Sequence, residues 1–383
     1  MKIGILCHPS VGGSGLVATE LAHGLAAAGH EVHVISSEPP FKLSRQQTGL
    51  HFHLVEAIHY PLFKDPLYTF ALTAKIVEVV DQYQLDLVHA HYSIPHSLCA
   101  YLASEITLKP FPVVTTIHGT DVTVVGQDRP LYPLNQFSIG RSTTVTTVSA
   151  FQRQYIQQHF QLDTPIEVIH NFIDASVFHP ARIDRALRRS LARDDQPIVM
   201  HASNFRPVKN TQAVIKSFAL ASRMVDARLV LLGSGPEIES LQGECHRLGI
   251  ADRVVFVGQV QQVERYLPLA SCVLQPSYRE SFCMVLLEAM ACGVPTVSSN
   301  VDGIPEVVSH GETGYLTAPD DYEAQADALV RILADPRLQQ RLGQAGRQRA
   351  ETQFSTEEKI QQYLACYRRA IDAFSAQQEP PSA

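Results

Sequence analysis

The sequence predicts an α/β protein with two parallel-sheet domains, and three observations carry that prediction. Short β-branched runs alternate with longer helical patterns over the whole chain, as expected of strands covered by helices on both faces. The alternation resets once, in a turn-rich and then charged stretch from Asn171 to Pro197, after which a new strand begins. The length of 383 residues exceeds one ordinary domain, and two domains of roughly 150–200 residues are the natural division. The expected boundaries are 1–172, 173–354, a C-terminal helix over 355–374 whose return to the first domain is left open, and a disordered tail over 375–383.

In the first half, the strand "KIGILCH" runs through a glycine-rich turn into a helix over Ser14–Gly29. Gly12, Gly13 and Gly15 let the backbone approach a ligand closely, and the positive end of the helix favours a phosphate or carboxylate there. The spacing is neither G-x-G-x-x-G nor a P-loop ending in Lys-Ser/Thr, so the usual dinucleotide and ATP motifs are not met. "EVHVIS" and "HFHLVEA" follow as strands, then a helix over Tyr68–Tyr83. The strands "LDLVHAH" and "PVVTTIH" end in His89, His91, Tyr92 and His96, and in His118, Thr120 and Asp121. Zinc needs three or four converging ligands with recognisable spacing. That spacing is missing here, and a hydrogen-bonding rim for a polar substrate is the preferred reading. "TTVTTVS" and "IEVIHNF" complete this half.

The second half opens with "PIVMHAS", followed by "NFRPVKN" and a helix over Thr211–Met224. Arg206 and Lys209 at this strand end can neutralise a diphosphate, the one through its fork and the other as a point charge. "ARLVLLG" leads into a turn shaped by Gly233, Gly235 and Pro236, and "VVFVG" is the next strand. Then "CVLQPS" is a strand, "YRES" a loop, and "FCMVLLEAMAC" a helix closed by Gly293 and Pro295. Glu280 precedes that helix and Glu288 lies inside it. Ionised carboxylates only accept hydrogen bonds, so this pair suits the vicinal hydroxyls of a sugar. The alternative is that Glu280 caps the helix and Glu288 pairs with an arginine. "PTVSSN" and "GYLTA" close the strand series.

Composition bounds the function. With 45% hydrophobic and 18% charged residues the chain has ample core material. A net charge of −7 with no Lys/Arg block argues against nucleic acid as a partner. The seven cysteines are odd in number and lack C-x-x-C spacing, which fits buried thiols in a reducing compartment. The first apolar run is too short for a signal peptide, and no stretch approaches the roughly 20 apolar residues of a membrane span. A cytoplasmic protein without stable membrane association is expected. Self-association into a homo-oligomer is left open.

Taken together, "GGSG", "FRPVKN", "GSGPE" and the E-x7-E pair Glu280–Glu288 resemble the retaining glycosyltransferases of family 4. The resemblance runs from about residue 1 to about residue 370. It implies the GT-B fold, two Rossmann-like parallel-sheet domains facing a central cleft. "HPSVGGSGLVATELAHGLAAAGHEVHVIS", "PPFKL", "HAHYSIPH", "TIHGTDVT" and "NFID" resemble more narrowly the branch that glycosylates L-malate in bacillithiol biosynthesis.

That resemblance implies UDP-N-acetylglucosamine as donor and L-malate as acceptor, with no cofactor and no divalent metal required. Arg206 and Lys209 would bind the diphosphate, helped by Gly13. Glu288 would take the ribose, and Val260 would lie beside the uracil. Glu280, with the amides of Ser281, Phe282 and Cys283, would take the sugar. Ser14, Tyr92, Thr120 and Arg141 would hold the acceptor, and His118 would line the reacting sugar. The catalytic set it implies is His118, Arg206, Lys209 and Glu280. One departure is Cys283, where the family commonly has glycine. The competing expectations are another acceptor (inositol phosphate or an envelope glycan), an epimerase or hydrolase acting on UDP-GlcNAc, and a non-catalytic nucleotide-sugar sensor.

Overall fold

The structure is a computed structural model that describes residues 1–9, 13–44, 46–57 and 67–378. The chain divides into two compact units, one of Met1–Asn171 with Thr356–Ala383, the other of Phe172–Ser355.

Unit 1 is built on a seven-stranded parallel sheet of β1 (Lys2–Leu6), β2 (Glu31–Ser36), β3 (Leu50–Leu54), β4 (Leu87–His91), β5 (Val113–Ile117), β6 (Thr144–Thr147) and β7 (Ile166–Val168). Their spatial order is β3-β2-β1-β4-β5-β6-β7. The chain therefore reverses direction across the sheet between β1 and β4, and in such sheets ligands bind beyond the strand C-termini at that point. Central strands β4 and β5 are buried along their whole length, which is why they read as continuous apolar and β-branched runs. One face packs Leu6, Ile35 and Val88 against Ile76, Val79 and Val80 of the helix Tyr68–Tyr83.

The C-terminal helix Thr356–Gln378 is part of unit 1. It passes so close to the first helix, Gly13–Ala27, that a Cβ on Gly24 would lie 2.5 Å from Ile360 Cδ1. Its Tyr363 and Tyr367 are fully buried, and the Tyr367 hydroxyl meets His89 Nδ1 at 2.7 Å. The helix continues four residues past the expected end at Phe374, so 375–378 are helical and not a disordered tail. The remainder of the expected tail, 379–383, lies outside the described residues, as does Gly12.

Unit 2 repeats the plan with six parallel strands: β8 (Ile198–Ala202), β9 (Arg228–Leu232), β10 (Val254–Gly258), β11 (Cys272–Gln275), β12 (Thr296–Ser299) and β13 (Gly314–Thr317). Their order, β10-β9-β8-β11-β12-β13, reverses between β8 and β11. Phe205, Phe218, Leu229, Leu231, Leu274 and Leu329 form one core cluster there. All seven cysteines are buried and unbridged. No helix among the described residues is long and apolar enough to cross a membrane.

Candidate active site

In unit 2 the loops after β8 and β11 flank the reversal point, and they carry the predicted donor residues. After β8 the chain turns tightly. Phe205 (φ 36°) buries its ring, Pro207–Lys209 make one 3₁₀ turn, and Asn210 (φ 51°) enters the next helix in left-handed conformation. Asn210 Nδ2 donates to the carbonyls of Pro276 at 3.2 Å and Pro319 at 3.0 Å, tying this loop to the β11 loop. The Gly233–Gly235 turn serves the same loop. A Cβ at Gly235 would sit 2.0 Å from the Asn204 carbonyl oxygen, so only glycine permits that approach.

Lys209 Nζ donates to Glu280 Oε1 at 2.7 Å, and the Ser277 hydroxyl donates to the same oxygen at 3.0 Å. Burial pulls the Lys209 ammonium down, but the Glu280 carboxylate beside it more than compensates, and the net shift is upward. The lysine is therefore a fixed cation. Asp302 (φ 48°) accepts from the Glu280 amide at 3.1 Å and from Arg279 Nε at 3.3 Å. Glu280 is thus held from both sides. It does not cap the helix, which has no side-chain cap at all. Arg206 is exposed.

The helix begins at Met284, two residues later than expected, because Cys283 takes φ 72° and ψ 79° at its N-cap. That left-handed conformation is why glycine suits the position, and a cysteine there holds roughly 1–2 kcal/mol of strain. Burial pushes the Cys283 thiol well up, with Glu280 and Glu288 adding to the rise and Lys209 opposing it. The thiol is protonated, and Glu280, Glu288 and Lys209 all act on this one point. Glu288 is buried in the second turn of the helix. Phe282 turns its ring into the core against Phe354 at 5.6 Å, which leaves only its backbone for a ligand. Val260 is half-buried, two residues beyond the end of β10.

In unit 1 the loops after β1, β4 and β5 bring three predicted acceptor residues together. The Tyr92 hydroxyl hydrogen-bonds with the side chains of Ser14 and Thr120. Burial, with the Asp121 carboxylate second, raises the Tyr92 phenol pKa, and those two hydrogen bonds work against the rise. Tyr92 itself has φ 97°, which no ordinary turn requires. Gly13 opens the first helix with φ 56°.

His118 Nε2 lies 2.9 Å from His91 Nδ1. Burial, then the charge of His8, lowers the His118 pKa to about 3, so the imidazole is neutral at pH 7. Asp121 accepts from the Gly119 and His118 amides, and burial raises its carboxyl to about 6.

Arg141 does not join this group. It follows the helix Tyr132–Gly140 and precedes β6, so it sits at the N-terminal end of the sheet, over the rings of Phe137 and Tyr101 at 5.1 and 5.7 Å. The strands are parallel, so the residues that follow β4 and β5 lie at the other end. His89 is not part of a rim either. Its two ring nitrogens bond Tyr367 and Thr116 at 2.7 Å each, inside the core. Sequence reasoning missed Asn210 and Asp302. Both sit where short polar residues tolerate φ > 0, in "VKN" before a helix and in the "DG" turn, and those turn signals could have found them.

A family model described as Glycosyl transferases group 1 matches residues 183–349, and one described as Glycosyltransferase Family 4 matches residues 11–177. The chain is 41% identical over 370 residues to an N-acetyl-alpha-D-glucosaminyl L-malate synthase of Bacillus anthracis, covering 96% of each chain. It is 31% identical over 312 residues to a D-inositol 3-phosphate glycosyltransferase of Mycobacterium avium, covering 76% of this chain and 71% of that one. Among solved structures, Anabaena HepE in complex with UDP-glucose superposes with a TM-score of 0.80 at 23% identity, over 96% of this chain and 100% of the other. A sucrose-phosphate synthase from Thermosynechococcus elongatus gives a TM-score of 0.79 at 25% identity, over 97% and 100%.

Proposed function

Since the chain belongs to glycosyltransferase family 4 and has its GT-B fold, we propose that it moves N-acetylglucosamine from UDP-GlcNAc to the hydroxyl of L-malate, retaining the anomeric configuration. The observation that carries the acceptor is the near-full-length similarity to the malate-glycosylating relative. The Ser14–Tyr92–Thr120 hydroxyl group is compatible with it, because three hydroxyls beside a helix start suit a small carboxylated alcohol.

In this reading the bond between the anomeric carbon and the UDP β-phosphate oxygen breaks. A bond from the malate hydroxyl oxygen forms on the same face, and the hydroxyl proton passes to the departing phosphate. The negative charge that develops on UDP is met by Lys209, Arg206 and the uncapped amides at the start of the helix Met284–Ala291. Glu280 positions Lys209 and the sugar, and Glu288 receives the ribose hydroxyls. Neutral His118 offers a hydrogen bond and no charge. Fixed cations supply the electrostatics, so transfer should persist in excess EDTA.

The deciding experiment supplies UDP-GlcNAc with L-malate, with inositol 3-phosphate, or with water alone. UDP release and a glycosylated product are expected only with malate. Equal release in water overturns the reading. Preference for inositol phosphate would favour the second reading, which the similarity to inositol-phosphate glycosyltransferases keeps in view.

A further inference from the structure

At the outer edge of the unit 1 sheet four chemistry-bearing side chains share one face. Parallel strands β2 and β3 pair His33 opposite His51. Side chains two apart on a strand face the same way, which adds Glu31 on β2 and His53 on β3. β3 is the edge strand, so the group borders solvent. One ligand atom each from Glu31, His33 and His51 lie within 4.8 Å of one another. His33 is fully buried, Glu31 half-buried and His51 exposed.

The two nitrogens of His33 do different work. Nε2 faces Glu31 Oε1 at 3.0 Å, and Nδ1 faces His53 Nε2 at 2.9 Å. A metal-ligating imidazole needs its other nitrogen to carry the proton and donate it to an acceptor, which fixes ring and tautomer. His53 is that acceptor, its ring lying within 15° of the His33 plane. Tyr83 packs on the His33 ring at a centroid distance of 4.4 Å and limits its movement. Lys2 reaches the other Glu31 carboxylate oxygen at 3.8 Å, a loose pair that leaves Oε1 directed at His33. Two imidazoles and one carboxylate make an N2O donor set, and donors about 3–3.5 Å apart fit a tetrahedral ion with bonds near 2.0–2.1 Å. His51 is exposed, its ring stacked beside that of His33 at a centroid distance of 4.9 Å, and a rotamer change would close the remaining gap.

We propose that Glu31, His33 and His51 bind one divalent transition-metal ion of the zinc class, with His53 holding His33 in the ligating tautomer and a fourth position left to water. The site lies in the first half of β2 and β3, whereas Tyr92 and Thr120 follow the C-terminal ends of β4 and β5. It is therefore separate from the acceptor group and needs no part in transfer.

The test titrates Zn²⁺ into the chelator-stripped full-length protein, read by calorimetry and by competition with a chromophoric chelator. One equivalent should bind. His51→Ala, at an exposed position with little effect on folding, should weaken that equivalent by at least about tenfold. His53→Gln should weaken it by about 10–100-fold through the lost acceptor. Both variants should glycosylate the acceptor at the unaltered rate. Absence of a stoichiometric site, or equal affinity in the parent and His51→Ala, overturns the proposal; the latter would place any bound zinc elsewhere on the chain.

Discussion

At the level of single residues, the Lys209–Glu280 pair and Cys283 dominate the chemistry. The pair is largely buried, its side chains 24% and 10% exposed, so neither member is a solvated surface charge. Lys209→Ala and Glu280→Gln should each slow turnover by about 10²–10³-fold, the usual effect of removing a group aimed at developing charge. Each should destabilise the fold by no more than about 2 kcal/mol, since the pair keeps some solvent screening. Steady-state kinetics and thermal melts of the same preparations check this, and unfolding on the scale of the activity loss would make the pair structural. At Cys283, glycine should relieve the left-handed strain with a net stability change within about 1 kcal/mol and turnover at least equal to the parent. Valine, branched at Cβ and forced to φ 72°, should cost about 2 kcal/mol or more and impair donor binding. Denaturant titration with donor KM measures both. The glutamates and the cation pair were legible because they punctuate an apolar run and a strand end. Arg141 came from the family resemblance alone, and its place before β6 puts it at the opposite end of the sheet from Tyr92 and Thr120.

Among elements, the strands were legible throughout, as each is a short run of apolar or β-branched residues between turn or helical segments. Helix ends were less so. The helix expected from Phe282 starts at Met284 because a left-handed cysteine interrupts it, and no propensity scale predicts cysteine there. The most consequential element contact is the clasp of the C-terminal helix on the first sheet. Its apolar face was legible, but the Tyr367–His89 bond joins residues 278 positions apart, beyond any local pattern. Tyr367→Phe leaves a buried imidazole nitrogen without its partner, which should cost about 1–3 kcal/mol. Urea unfolding should record that loss while donor KM stays unchanged. A coincident loss of donor binding would contradict the assignment of the donor residues to unit 2.

For the whole molecule, buried titratable groups set the pH response. Burial holds His89 and His96 neutral down to about 3 and His201 to about 4. In the unfolded chain each titrates near 6.5. Between those values the unfolded state binds more protons, so this stability is complete above about pH 6.5 and drains as pH falls. Asp121 runs the other way: raised to about 6, it favours the fold most at low pH and withdraws support as pH rises through 6. From pH 6.5 to 5 each histidine costs about 2 kcal/mol, against roughly 1 regained from Asp121. The histidines win. Melting temperature should fall clearly from pH 7.5 to 5, and a flat or rising profile would show that these rings are solvated. The repeated strand order of the two sheets was not legible, because pairing order is a tertiary property that composition and periodicity leave open.

The C-terminal helix also imposes an order of assembly. Phe172–Ser355 is contiguous, whereas the first sheet draws its closing helix from Thr356 onward. A ribosome therefore delivers every residue of the later unit before the earlier one has its last helix. Until Tyr363 and Tyr367 emerge, the face that buries His89 and Thr116 waits uncovered. The unit that begins first is the one that can be completed only last.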